Sequence, residues 1–243
     1  MTSFKLKASK YDSRDYVYKP TGEEIKQFID LREYDTPIEN QGQLGSCVAS
    51  SIVSAYELMT NMSNPENLED LSKLYTYYHA RLLEGTDSED QGVLYIRNAL
   101  KGIQKFGICK ESLWAYDPTL FSVQPNLDCY VDAWPRKINS YESIYQINNM
   151  LEILNKEKPI ILGFNVFDNF FNLTKANAVV SAPTGSVLDF GGHAVTLVGY
   201  SLETKWFIAK NSYGPDWGDN GYCYIPFDYA NQYAFDRWFF NIN

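Results

Sequence analysis

Apolar residues recur along this chain in two rhythms, and the rhythm changes near residue 137. Behind Cys47, the positions Val48, Ala49, Ile52, Val53, Tyr56 and Met59 follow the spacing of a helix face. The pattern predicts a buried helix opening at Cys47, with Ser46 as its N-cap and Gly42 and Gly45 just before it. Residues 71–83 read as a second helix, and 96–106 as a third that Gly107 stops. Between 110 and 136 the chain is rich in Pro and Trp with little periodicity, which suggests a crossing between two lobes. Residues 143–155 suit a short helix. After them come short apolar runs bounded by Gly, Pro, Asn or Asp, at 160–166, 194–200, 206–209 and 222–225, which read as strands. Helices first and strands later predict an α+β protein, with a helical lobe over about 40–130 and an antiparallel, barrel-like β lobe over about 137–243. Residues 1–28 are polar and resemble an extended strap more than a domain of their own.

Composition narrows the choices. A chain of 243 residues holds one large domain or two lobes sharing a core. Its 45% apolar and 21% charged content is that of a globular protein. A net charge of −9 without any Lys/Arg cluster argues against a nucleic-acid partner. No apolar run is long enough to span a bilayer, so no membrane role is expected, and no apolar secretory segment follows the N-terminus. The four cysteines, Cys47, Cys109, Cys129 and Cys223, show no metal-type spacing, so neither a metal nor another cofactor is expected. If Cys47 is a free nucleophile, the other three cannot all pair. A reduced, intracellular compartment is the better reading, with a Cys109–Cys129 bridge left open.

The chemistry concentrates on few residues. A sulfur at a helix N-terminus feels the positive end of the helix dipole, which favours thiolate over thiol. Gln41, six residues before Cys47, offers an amide that can donate to an oxyanion formed near that sulfur. The competing reading of Cys47 is a buried free cysteine that merely starts a core helix. Only two histidines exist. His79 lies inside an aromatic helix between Tyr78 and Leu82 and reads as a core residue. His193 follows Gly191 and Gly192 at the start of a strand, and Asn211 comes eighteen residues later. Adjacent antiparallel strands would bring the Asn211 amide oxygen to one imidazole N–H. That bond fixes the tautomer and leaves the other nitrogen for a thiolate.

Three blocks in order, Gln41-Gly-x-x-Gly-Ser-Cys47, Gly192-His-Ala-Val195 and Asn211-Ser-x-Gly-x-x-Trp-Gly-x-Asn-Gly-Tyr222, make residues 29–243 resemble the papain-like cysteine proteases. Asp30-Leu-Arg32 is similar to the mature N-terminus of that family, with 1–28 as an N-terminal extension before the peptidase domain. The resemblance implies a two-lobe fold with a cleft between the lobes and a cysteine-type endopeptidase acting on protein or peptide substrates. It implies Cys47 as nucleophile, His193 as base and acid, Asn211 as the residue orienting His193, and Gln41 with the Cys47 N–H as oxyanion hole. Gln91 and Gly92 resemble the segment that pairs with substrate backbone, Gly92 having a helix-start turn as its alternative. Gly192 and Trp217 would line the cleft, Trp217 on the leaving-group side. The side-chain pocket would be built around Gly92, by Gly163 or its neighbours and by the segment 168–192, where Phe170 and Phe171, with Phe167 just before them, suggest an apolar lining.

Departures from the family pattern carry expectations too. Leu44 stands where secreted members usually carry a disulfide cysteine, and Val48 replaces an aromatic. Tyr213 replaces the Trp that covers the Asn–His bond, so His193 is expected to be wetter and its ion pair weaker. Gly192 replaces an acidic or amide residue. Residues 1–28 either contact the cleft and restrain activity or form an ordered extension far from it. Two alternatives share the fold: a catalytically silent peptide-binding protein, and a peptide ligase or amidase using the same Cys–His chemistry.

Overall fold

The structure, a computed structural model, describes residues 4–66, 68–90, 92–183 and 189–242. Helices α1 (Cys47–Ser63), α2 (Lys73–Glu84) and α3 (Ile96–Phe106) stand where the apolar spacing places them. The first is buried along most of its length, its serines, Glu57 and Asn61 as well as its apolar residues, as suits a central helix. The Ser72 hydroxyl caps α2 by accepting from the Tyr75 N–H at 3.0 Å. Gly107 ends α3 at φ +77°, where a Cβ would also strike the Ala133 carbonyl oxygen at 1.9 Å. The crossing segment is more structured than expected. Asn126 caps a short helix α4 (Leu127–Ala133), and a 3-10 turn precedes it at Pro118–Leu120.

Strands β1 (Phe4–Lys5), β2 (Tyr16–Val17) and β3 (Phe28–Asp30) come from the N-terminal region. Residues expected as one helix at 143–155 divide between the end of β4 (Ile138–Ser143) and α5 (Ile147–Asn155). The four expected strands appear as β5 (Ile160–Phe167), β6 (Asp189–Ser201), β7 (Trp206–Lys210) and β8 (Tyr222–Pro226). The periodicity did not reveal α6 (Phe227–Tyr233) or β9 (Ala234–Ile242).

The sheet departs from the antiparallel barrel. Among the described residues its order is β2-β4-β9-β5-β6-β7-β8, an open path, with β1 and β3 also paired to β6. The central ladders are antiparallel, but the short strands β1 and β2 pair in parallel with β6 and β4. Alternation along the central strands divides the interior in two. Leu162, Phe164, Val195 and Leu197 join one core with α5, while Ile161 and Ala194 join the core around α1. Each such fully buried aliphatic or aromatic side chain contributes on the order of 2 kcal/mol. Helix α1 therefore lies against β6, which sets Cys47 beside the segment following His193.

Among the described residues, no helix is long and apolar enough to cross a membrane.

Candidate active site

Helix α1 is locked to β6 by a buried bond, the Thr196 hydroxyl donating to the Ser51 carbonyl at 2.8 Å. A second lock ties α1 to β7. Buried Lys210 donates to Asp35 at 2.6 Å and to the Thr36 carbonyl at 2.9 Å, and the Thr36 hydroxyl donates to Glu57 of α1 at 2.8 Å. Together these fix Cys47 on α1 relative to His193 on β6 and to Asn211, which directly follows Lys210.

The Cys47 thiol is buried and faces the backbone N–H groups of Ala194, Val48 and Cys47 itself. His193 is fully buried, and Asn211 is nearly so. His193 Nε2 and Asn211 Oδ1 are 2.7 Å apart. An amide oxygen only accepts, so Nε2–H donates and Nδ1 is the basic nitrogen of the neutral ring. The helix terminus alone suggested a thiolate, but burial is the larger effect. It pushes the Cys47 thiol up to about 11, against the pull of the three N–H groups. Burial likewise holds His193 down to about 4, against the bond to Asn211.

His193 is not wetter for want of a Trp. Tyr213 lies over its ring at 5.0 Å between centroids, and the fully buried Phe170 sits at 5.6 Å. Trp217 completes the cover: its ring is 5.0 Å from Phe170 and 5.5 Å from Tyr213, and its N–H donates to the Phe170 carbonyl at 3.2 Å. Three rings share the shielding expected of one.

Gln41 is clamped at both ends of its amide. Oε1 accepts from the Ser212 hydroxyl at 2.6 Å, and Nε2 donates to the Leu44 carbonyl at 2.9 Å. A second Nε2–H remains on the nitrogen. The backbone joins in, Gln41 N–H donating to the Ser212 carbonyl at 2.9 Å. Residues 41 and 212 thus move as one unit, and 212 adjoins Asn211. Ser46 is the N-cap residue of α1, as expected, but its side chain makes no capping bond: its hydroxyl lies 2.6 Å from that of Tyr116, which donates to the Gln41 carbonyl at 3.0 Å. Leu44 is buried in the apolar cluster that holds Cys47, so packing stands where a disulfide was absent. All four cysteines are free.

Gly92 has φ +71° and approaches Gly45 so closely that a Cβ on Gly45 would meet its Cα at 2.7 Å. It lies three residues before Tyr95, the N-cap of α3. Gln91 lies outside the described residues. The route to Gly92 is held by a residue the sequence reading did not single out. Arg81 is fully buried over the Tyr77 ring at 4.0 Å and donates to the carbonyls of Thr86, Asp87, Glu89 and Phe121. Tyr77 in turn donates to Asp90 at 2.5 Å. A charge inside the apolar pattern of 71–83 was the available signal. Ser212 and Tyr116 carried none, and Phe170, expected in an apolar pocket lining, lies fully buried against His193 instead. His79, as expected, is a core residue: buried, stacked on Tyr75 and Phe106, with Nδ1 2.8 Å from the Tyr75 carbonyl.

Comparison with known proteins identifies the family of the chain. The family model of papain family cysteine proteases matches residues 25–237. A peptidase C1-like protein of Acanthamoeba polyphaga mimivirus is 35% identical over 88% of this chain and 72% of its own length. A cysteine proteinase of Entamoeba histolytica is 27% identical over 86% of this chain, which spans 65% of that relative. Xylellain, a cysteine protease from Xylella fastidiosa, superposes with a TM-score of 0.88 at 29% identity, covering all of this chain and 97% of that one. The chain belongs to the papain family of cysteine proteases, and its function is that of a cysteine-type endopeptidase.

Proposed function

We propose that Cys47 is the nucleophile of this endopeptidase and His193 its base and acid, with Asn211 orienting the imidazole. The observation that carries the assignment is the His193–Asn211 bond at 2.7 Å, because it puts the proton on Nε2 and makes Nδ1 basic. The Cys47 S–H proton passes to Nδ1 as sulfur attacks the substrate carbonyl carbon. Burial opposes each charge singly, but the transfer makes both together. At contact distance their attraction is on the order of 4 kcal/mol in a protein-like dielectric. The oxyanion takes hydrogen bonds from the second Gln41 Nε2–H and from the Cys47 N–H, which has no carbonyl partner four residues back. The imidazolium then protonates the leaving amine, and a thioester remains. Water attacks the thioester with Nδ1 as base, releasing the acid and restoring the thiol.

Gly92 with Gln91 pairs with substrate backbone, Gly192 lines the cleft beside His193, and Trp217 walls the leaving-group side through its packing on Tyr213. Residues 1–28 are an extension to a peptidase domain spanning 29–243. The four free thiols and the Leu44 packing favour a reduced, intracellular setting. Cys47→Ala and His193→Ala each abolish turnover of an unfolded peptide while the protein stays folded. Turnover retained by either folded variant overturns the assignment.

A further inference from the structure

Helix α1 carries three buried serines whose hydroxyls the mechanism leaves unused. Ser50, Ser51 and Ser54 are each no more than 5% exposed, in a run whose other members are mostly apolar. A hydroxyl inside a helix commonly bonds the carbonyl one turn back, as Thr60 does to Tyr56 at 2.9 Å and Ser63 to Met59 at 3.1 Å. The buried Ser54 hydroxyl makes no such bond and has no hydrogen-bond partner among the described residues. Asn211 ends in the same condition. Its Oδ1 accepts from His193 Nε2–H at 2.7 Å, but its Nδ2, also buried, has no partner among the described residues.

These two side chains border one small cavity. A space of about 10 Å³, the room one ordered water needs, lies between α1 and the end of β7, lined by Ser50, Ser51 and Ser54 on one side and Asn211 on the other. The other polar groups around it are committed. The Lys210 ammonium is spent on Asp35 and on the Thr36 carbonyl and hydroxyl. The Ser212 hydroxyl donates to Gln41, and the Thr196 hydroxyl to the Ser51 carbonyl. A buried donor and a buried hydroxyl facing one water-sized space are the usual setting of a structural water.

Resting on the assignment of Asn211 as the residue orienting His193, we propose that Ser54 is a positioning residue that holds the Asn211 amide through one buried water. The water accepts from Nδ2–H and donates to the Ser54 hydroxyl oxygen. What this settles is which end of the amide meets the imidazole. Oxygen and nitrogen of an amide differ little in shape, so packing alone does not choose between them. Turned end for end, the amide offers N–H to Nε2, and the ring proton moves to Nδ1, where it blocks transfer from Cys47. Gln41 has protein groups on both ends of its amide; Asn211 has His193 on one end and the water on the other.

The test uses the full chain. Ser54→Val and Ser54→Thr add the same volume and differ by the hydroxyl, so packing is controlled. In hydrolysis of a fluorogenic peptide, Ser54→Val should lose about tenfold in kcat with KM unchanged, and Ser54→Thr should recover most of that loss. In an Asn211→Ala background, Ser54→Val should cost nothing more, because it acts through the amide. Nitrogen-15 spectra of the His193 ring at pH 7 give a readout that packing would not move: the proton sits on Nε2 in wild type and Ser54→Thr, and passes in part to Nδ1 in Ser54→Val. Crystals of the wild type, which need no variant to fold, should show a water within hydrogen-bond distance of Asn211 Nδ2 and Ser54 Oγ. Equal kcat losses in Ser54→Val and Ser54→Thr, an unmoved tautomer in Ser54→Val, or no water at that position each overturns the inference; a lowered kcat in Asn211→Ala then leaves the role of Asn211 standing. A folded Asn211→Ala with wild-type kcat sinks the orienting role itself, and the inference falls with it.

Discussion

The molecule holds two buried histidines that look alike by every local measure. His79 and His193 are both almost inaccessible, both packed among aromatic rings, and both held down to about 4 by burial. They differ in their partners. His79 bonds a carbonyl one turn back on its own helix, a contact helix geometry supplies wherever such a ring folds inward. His193 bonds a side chain that directly follows another strand, follows two glycines that admit a foreign strand, and precedes Ala194, whose N–H faces the sulfur at a helix start. Burial and a displaced pKa thus do not tell the two histidines apart; a partner brought from far along the chain does.

Removing each histidine should give the widest separation. His193→Ala lowers kcat by at least about 10³-fold, whereas His79→Gln leaves it within about twofold, read as hydrolysis of a fluorogenic peptide at pH 7. Comparable losses from both would erase the distinction. Gln41→Ala comes next, with a loss of about 10²-fold in kcat and little change in KM, because its amide meets charge that exists only in the transition state. A loss confined to KM would reduce Gln41 to a packing residue. In acid the two histidines should behave alike. Each has a folded-state pKa below its unfolded value near 6.5, so the unfolded chain takes up the proton first as pH falls. Each stabilises the neutral-pH fold by an amount fully present above about 6.5 and lost as pH drops to about 4, on the order of 3 kcal/mol. Urea midpoints should therefore fall over that window, and His79→Gln should flatten the fall without moving the activity profile. An unaltered slope in His79→Gln would contradict the burial account.

Legibility followed the range of the interactions. Helix α3 was readable to the residue because its face, its start and Gly107 are all local signals. The strands β1, β2 and β3 are two or three residues long and exist only through pairing with distant partners, so no periodicity announces them. Residues 227–242 hid a helix and a strand because Asp236 and Arg237 interrupt the apolar alternation while one is buried and hydrogen-bonded to Trp238. The site divides in the same way. Cys47, His193, Asn211 and Gln41 each sit in a short motif. The Ser212 clamp on Gln41 and the Phe170 cover on His193 are contacts between segments far apart in the chain, and those residues look ordinary where they stand. Tyr213 shows the cost of reading one position alone, since its smaller area was made up by two neighbours.

The proposal that proton transfer to His193 overcomes the burial that otherwise keeps the sulfur a thiol is tested most directly by alkylation of Cys47 with iodoacetamide as a function of pH. Wild type and His79→Gln should react alike at pH 6, and His193→Ala should react at least about 10²-fold more slowly there, recovering only as the pH approaches the value of an isolated buried thiol. The same pH–rate profile in His193→Ala as in wild type would contradict the account.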